Sequence, residues 1–153
     1  MGARKRRDAL PMTSHPNLNS ALAAAQAELS NPTCDRQNSH FGQPYATLQS
    51  VMAAIRPTFG RHGLALSMVP MFVRPKDEGS AIVELDVRIL HSSGESLAWV
   101  VRWPTEMNIQ KAGGVVTYLR RYVACGIAGV AGEVDDDAEA VVAPTRKEAN
   151  AKR

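Results

Sequence analysis

The chain has 153 residues, of which 44% are hydrophobic, and this is enough for one domain with its own core. Only 5% are aromatic, so packing is expected to depend on aliphatic side chains. No apolar run approaches the roughly 20 residues of a membrane span, and none follows the basic N-terminus as in a secretory signal. Cys34 and Cys125 lie far apart, which argues against a zinc site or a disulfide scaffold and favours a reducing cytoplasm.

The net charge of +3 is unevenly distributed along the chain. Residues 4–7 are all basic, and we expect residues 1–15 to form a disordered arm. The segment 133–139 is strongly acidic, and we expect residues 133–153 to form a flexible tail, which leaves 16–132 as the predicted domain. A basic arm is typical of proteins that contact nucleic acid or an anionic surface, although a solvated tail accounts for it equally well.

Two helices are predicted in the first half of the chain. Pro16 and Asn17 are typical of a helix start, and apolar residues then recur at helical spacing as far as Leu29. The polar residues 30–44 predict a loop. Thr47 can cap a second helix, in which Pro57 should kink the helix or restrict its last turn before Gly63 ends it.

Three strands and a long helix are predicted next, which gives the order α-α-β-β-β-α. The strand at 64–73 is apolar but interrupted by Pro70, and residues 81–103 alternate as an antiparallel hairpin around a turn at 91–95. The expected fold is α+β, with a three-stranded antiparallel sheet packed against helices. Trp99 and Trp103 share one strand face, which predicts the core or a subunit interface, with base stacking as the alternative.

The helix predicted at 107–128 has an apolar face, and its other positions carry most of the candidate binding residues. The predicted apolar face consists of Ala112, Val115, Val116, Leu119, Val123, Gly126 and Ile127. Gly113 and Gly114 are unusual because a helical glycine costs about 1 kcal/mol relative to alanine. The pair indicates a surface kept bare for a phosphate backbone, or for a neighbouring helix or subunit. An ordinary solvated helix face remains the simpler alternative.

Residues 110–122, QKAGGVVTYLRRY, resemble the signature of the ERF (essential recombination function) family of phage-type single-strand annealing proteins. The matching residues are Gln110, Gly113, Thr117, Tyr118, Arg120, Arg121 and Tyr122. Four further segments, at 45–48, 62–64, 91–95 and 135–137, resemble family motifs and occur in the family's order. The resemblance therefore covers about residues 17–139. The loop before Tyr45 lacks the lysine often found there, and Arg36 and His40 are the nearby substitutes.

The resemblance implies a protein that binds single-stranded DNA and anneals complementary strands in homologous recombination. Annealing breaks no covalent bond, so neither an enzyme activity nor ATP is expected, and no catalytic or metal-binding residue is assigned. The expected DNA contacts are Gln110, Lys111, Thr117, Tyr118, Arg120 and Arg121. Cationic side chains would neutralise phosphates and Tyr118 would stack on a base.

The resemblance also implies partners and a location. Because one small domain offers few cations, useful affinity requires several subunits on one strand, and a homo-oligomeric ring or filament is expected. A host single-strand binding protein is a further candidate partner. The cytoplasm of a bacterial host is the expected location if the gene belongs to a phage.

Several alternatives stay open at the level of the sequence. Asp135, Asp136 and Asp137 could bind Mg²⁺, which would suit a small metal-dependent nuclease, or they could serve a protein-interaction adaptor, while a solvated acidic linker is the simplest explanation. No cofactor is otherwise expected. His62 and His91 are interpreted as turn or capping residues. Arg121 could instead form an inter-subunit ion pair, for which the candidate partners are Glu84 and Asp86.

Overall fold

The computed structural model describes residues 12–38, 42–73, 80–106 and 108–133. The basic residues 4–7, His40 and Asp135–Asp137 lie outside this part of the chain. The elements are α1 (Leu18–Glu28), β1 (Arg36–Gln37), β2 (Pro44–Tyr45), α2 (Leu48–Arg61), β3 (Leu64–Val73), β4 (Ser80–His91), β5 (Ser96–Glu106) and α3 (Ile109–Ala128). The α+β class is confirmed, with one addition, because β1 and β2 form a short antiparallel pair in the region predicted as a loop.

The helices begin where the sequence predicts. The Asn17 side chain accepts a hydrogen bond from the Ser20 amide and caps α1, and Thr47 caps α2 in the same way. The start of α1 also contacts the turn between β4 and β5, because the Leu18 amide donates a hydrogen bond to Glu95 Oε2 at 2.6 Å. At the other end of α2, His62 is the C-cap and Gly63 follows with a φ of 69°, a left-handed conformation that favours glycine.

The strands β3, β4 and β5 form an antiparallel sheet with β4 in the centre. Leu85 lies opposite Pro70 on one side and Val101 on the other. The predicted interruption at Pro70 is wrong, because β3 continues through this residue. A proline is tolerated there since β3 is an edge strand and one side of its backbone has no partner strand.

The core lies between the inner face of the sheet and the three helices. The alternating residues Val83, Leu85, Val87 and Ile89 of β4 are all buried and form its centre. Trp99 packs against this core, as predicted. Trp103 is 48% exposed, so it does not belong to the core of the chain, and a subunit interface or base stacking stays the prediction for this residue.

The outer face of the sheet combines apolar and paired charged side chains. Its exposed apolar residues are Val69, Met71, Val73, Leu90 and Val100. Glu84 pairs with Arg102 at 2.7 Å and Asp86 with Arg88 at 2.9 Å, so both carboxylates suggested as partners for Arg121 have partners within the chain. None of the helices in the described ranges is long and apolar enough to cross a lipid bilayer.

Candidate nucleic-acid interface

Arg121 is enclosed by aromatic side chains and by a carboxylate. Its guanidinium carbon lies 4.6 Å from the ring centroid of Tyr45, 5.0 Å from that of Tyr122 and 5.7 Å from that of Tyr118. Its Nη2 donates to Glu133 Oε1 at 2.9 Å, and the side chain is only 12% exposed. The helical periodicity places Arg121 opposite the apolar face, where an open side chain is expected, so its enclosure corrects that expectation.

The segment before α2 and the segment after α3 meet beside Arg121 and account for its enclosure. The Ala46 amide donates to the Gly132 carbonyl at 2.7 Å, and Tyr45 and Glu133 form an antiparallel bridge. Arg121 Nη1 donates to the Ala46 carbonyl at 3.4 Å. The chain that leads into α2 and the chain that leaves α3 are thereby joined beside Arg121.

Asp35 fixes the start of α2 next to this junction. Its carboxylate accepts from the Thr47 amide at 2.7 Å and from the Thr47 hydroxyl at 2.8 Å. These hydrogen bonds, the backbone one first, lower the pKa of Asp35. The Thr47 hydroxyl in turn accepts from the Ser50 amide, so the cap of α2 is connected to the loop that carries Arg36.

An open cleft of about 550 Å³ lies in front of this cluster. Its lining residues are Arg36, Gln37, Asn38, Tyr45, Gly114, Thr117, Tyr118, Arg121 and Glu133. Three predicted DNA contacts, Thr117, Tyr118 and Arg121, are therefore brought together. Tyr118 is 47% exposed and its ring centroid lies 4.3 Å from that of Tyr122, which is 41% exposed, so an accessible aromatic pair stands at the rim of the cleft.

The cleft also contains residues that the sequence did not assign to the site. Arg36 is exposed and supplies a second cation, which supports it as the substitute for the lysine of the family pattern. Tyr45 lies in the family-like segment 45–48, and this segment is the sequence signal that could have identified it as a cleft residue. Glu133 carried no such signal beyond its place at the start of the acidic segment, because its position depends on the bridge to Tyr45.

The glycine pair on α3 is not required by packing against the described part of the chain. A Cβ atom added at Gly113 or Gly114 would meet nothing within 4 Å among the described residues. Gly114 lines the cleft and Gly113 does not. The bare surface is therefore available to something outside the chain, as both sequence interpretations require.

The other predicted DNA contacts lie apart from the cleft. Gln110 and Lys111 are exposed on the first turn of α3, where Lys111 Nζ lies 2.6 Å from Glu106 Oε2. Arg120 lines a second, apolar groove of about 260 Å³ formed largely by α2 and β3. Its Nε is buried and has no hydrogen-bond partner within the described ranges. Adjacency in sequence therefore does not bring Arg120 and Arg121 into one cleft.

Tyr122 links the aromatic pair to the carboxylate. Its hydroxyl donates to Glu133 Oε1 at 2.7 Å. Burial, with contributions from Tyr118 and Glu133, raises the pKa of Tyr122 well above its usual range. The phenol is therefore protonated at neutral pH, as its donation to Glu133 requires.

The described residues contain no cluster of three or more His, Cys, Asp or Glu side chains placed to hold a metal ion. The Asp135–Asp137 hypothesis falls outside them. His62 is the C-cap of α2, and His91 Nδ1 lies 2.8 Å from Ser93 Oγ in the hairpin turn, as expected for capping and turn residues.

The fold and the cleft define a class: a small α+β protein whose last helix brings aromatic and cationic side chains to one open surface. The chain matches the family model of the ERF superfamily over residues 18–153 and belongs to that superfamily. This confirms the resemblance seen in the sequence. Comparisons with curated proteins and with solved structures found no match. Membership of the superfamily suggests a phage-type single-strand annealing protein.

Proposed function

We propose that this protein binds single-stranded DNA and anneals complementary strands in homologous recombination, without ATP and without a catalytic residue. The observation that carries the proposal is the cleft in which Tyr118 and Arg121 of the ERF-like signature meet Arg36 and Tyr45. An exposed aromatic ring beside cationic groups suits a strand whose backbone is charged and whose bases are unstacked.

The chemistry of the cleft favours binding that ignores sequence. Arg36 and Arg121 can neutralise phosphates, and Tyr118 can stack on any base, since every base has a π-face. Gly114 adds no side chain between the helix and an approaching backbone. Contacts of this kind leave base edges free to pair with a second strand, which is the requirement for annealing.

We further propose that several copies act together as a ring or filament. Among the residues that the structure describes, one copy contributes two cations to the cleft, so avidity along a strand is needed for useful affinity. The exposed apolar residues on the outer sheet face and the two edge strands support contact between copies. A host single-strand binding protein remains a candidate partner for the assembly.

An annealing assay with complementary oligonucleotides tests the proposal directly. The reaction would be run without ATP, once with Mg²⁺ and once with EDTA, and its products would be sized on a denaturing gel. We expect faster formation of duplex with strands of unchanged length in both conditions. Metal-dependent shortening would instead support the nuclease alternative based on Asp135–Asp137. If the protein neither anneals nor cleaves the strands, the result supports an adaptor.

A further inference from the structure

Glu133 occupies the position at Arg121 that a backbone phosphate would need. Its Oε1 accepts one hydrogen bond from the Arg121 guanidinium at 2.9 Å and another from the Tyr122 hydroxyl at 2.7 Å. A phosphate oxygen is recognised by the same donors, because guanidinium groups match carboxylate and phosphate oxygens alike. The Glu133 side chain is 47% exposed, whereas that of Arg121 is 12% exposed, so the carboxylate is the more accessible partner.

The charges that line the cleft would make the Arg121–Glu133 ion pair compete with an entering phosphate. Glu133 is the single carboxylate among the cleft-lining residues that the structure describes, and the others are neutral or cationic. While the ion pair is intact, the charge of Arg121 is compensated within the chain. A phosphate that entered the cleft with Glu133 in place would meet a negative charge at short range, which is repulsive.

We propose that Glu133 is an intramolecular competitor for phosphate at Arg121, so that a DNA strand binds the cleft by exchanging its phosphate for this carboxylate. The inference rests on the proposed function, because it names what regulates affinity at the same site. The protonated Tyr122 hydroxyl donates to either acceptor. The bridge to Tyr45 and the hydrogen bond between Ala46 and Gly132 keep the backbone of Glu133 beside the cleft, so the displaced carboxylate stays close enough to return.

This exchange has a consequence for annealing. Each subunit holds the strand less tightly than its cations alone would allow, and the contact at Arg121 can be released without the strand leaving the assembly. A strand held by many weak, exchangeable contacts can shift its register against a complementary partner. Removing the competitor should therefore raise affinity for single strands.

The test uses the full chain and fluorescein-labelled oligo-dT, with binding followed by fluorescence anisotropy at one fixed ionic strength. Glu133→Gln removes the charge but keeps an acceptor for Tyr122. We expect affinity to rise about fivefold, the factor that corresponds to a partly exposed ion pair of about 1 kcal/mol. Glu28→Gln is the matched control, because it removes the same charge from an ion pair of similar exposure, with Arg61, outside both the cleft and the outer sheet face.

A second background separates local competition from a general change in charge. In Arg121→Gln protein, Glu133→Gln should have no more effect than Glu28→Gln, because the site of competition is gone. The proposal would be overturned if Glu133→Gln raised affinity equally in the wild-type and Arg121→Gln proteins, or if it left binding unchanged or weaker. Glu133 would then have a structural role only. If thermal unfolding shows that Glu133→Gln does not fold, Glu133→Ala provides a second comparison, in which the acceptor for the Tyr122 hydroxyl is removed together with the charge.

The proposed function fails on a different result from the one that defeats this inference. If neither the wild-type protein nor Glu133→Gln binds oligo-dT in dilute buffer, the assignment to single-stranded DNA is wrong and the inference falls with it. If wild-type protein binds and Glu133→Gln binds identically, the assignment stands and only the competition is rejected.

Discussion

The environment of Arg121 is made by residues from three parts of the chain. Tyr118 and Tyr122 come from its own helix, Tyr45 from the segment before α2, and Glu133 from the segment after α3. Cation–π contacts and the ion pair hold the guanidinium in one place, which reduces the entropy lost when a ligand binds. Tyr118 and Tyr122 are both exposed, but of the two only Tyr118 lines the cleft, so it is the best candidate for a direct contact with a base.

Substitution of Tyr118 tests that role at the scale of one residue. Tyr118→Ala should weaken oligo-dT binding by about tenfold, because stacking on one base contributes about 1–3 kcal/mol. Tyr118→Phe keeps the ring and should bind within about twofold of wild type. Fluorescence anisotropy titrations measure both, and equal affinity for all three proteins would show that no base stacks there.

At the scale of elements, α3 is buried on more than its predicted face. Ala112 and Leu119 are buried as expected, but Ala124, Cys125 and Ala128 are buried as well and lie outside that face. The second half of the helix is covered by α1 and by the chain that follows, as shown by the hydrogen bond from Gln26 to the Ile127 carbonyl. Burial raises the pKa of the Cys125 thiol, in agreement with a packing role.

The two glycines of α3 form a matched pair for testing the helix surface. Gly113→Ala and Gly114→Ala should each stabilise the protein by about 0.5–1 kcal/mol, because alanine is the better helix former and both sites have room for a methyl group. Only Gly114→Ala should weaken oligo-dT binding, since Gly114 alone lines the cleft. Thermal unfolding and anisotropy measure the two effects, and loss of assembly by Gly113→Ala would instead indicate a subunit contact.

The start of α2 should show a pH dependence that comes from Asp35. Because its pKa is lowered by the hydrogen bonds from Thr47, its contribution to stability is present above the ordinary carboxyl value of about 3.9 and disappears as pH falls through the lowered value. Asp35→Asn should therefore be less stable than wild type at neutral pH, and the difference should shrink towards about pH 2. Urea unfolding across this range measures it, and a constant difference would contradict the assignment.

At the scale of the whole molecule, the helices and the outer sheet face have separate roles. The helices bury the central part of the inner sheet face and build the cleft, whereas the outer face leaves Val69, Met71 and Val100 open. Exposed apolar patches of this kind commonly mark contacts between proteins. The outer face is therefore our candidate for the contact between copies.

A charge on this face should reduce assembly without unfolding the domain. Val69→Glu is suitable because Val69 is 52% exposed, and we expect a shift to smaller species. Ile109→Glu is the control, since Ile109 is 78% exposed at the start of α3 and is not part of the outer sheet face. Light scattering coupled to size-exclusion chromatography measures the mass of each protein. An unchanged mass for Val69→Glu would show that the interface lies elsewhere on the protein. If the wild-type protein is a monomer, the proposed assembly is wrong.

The sequence by itself determined the order of the three helices and the three long strands, the starts of the helices at Asn17 and Thr47, and the family signature on α3, but not the short pair β1–β2. These features depend on local capping, on hydrophobic periodicity and on contiguous residues, all of which a single chain displays directly. The tertiary structure decided that Arg120 and Arg121 face different grooves and that Tyr45, Arg36 and Glu133 join the cleft. Periodicity cannot reveal this, because it ranks the faces of a helix without saying which distant segment will cover each one.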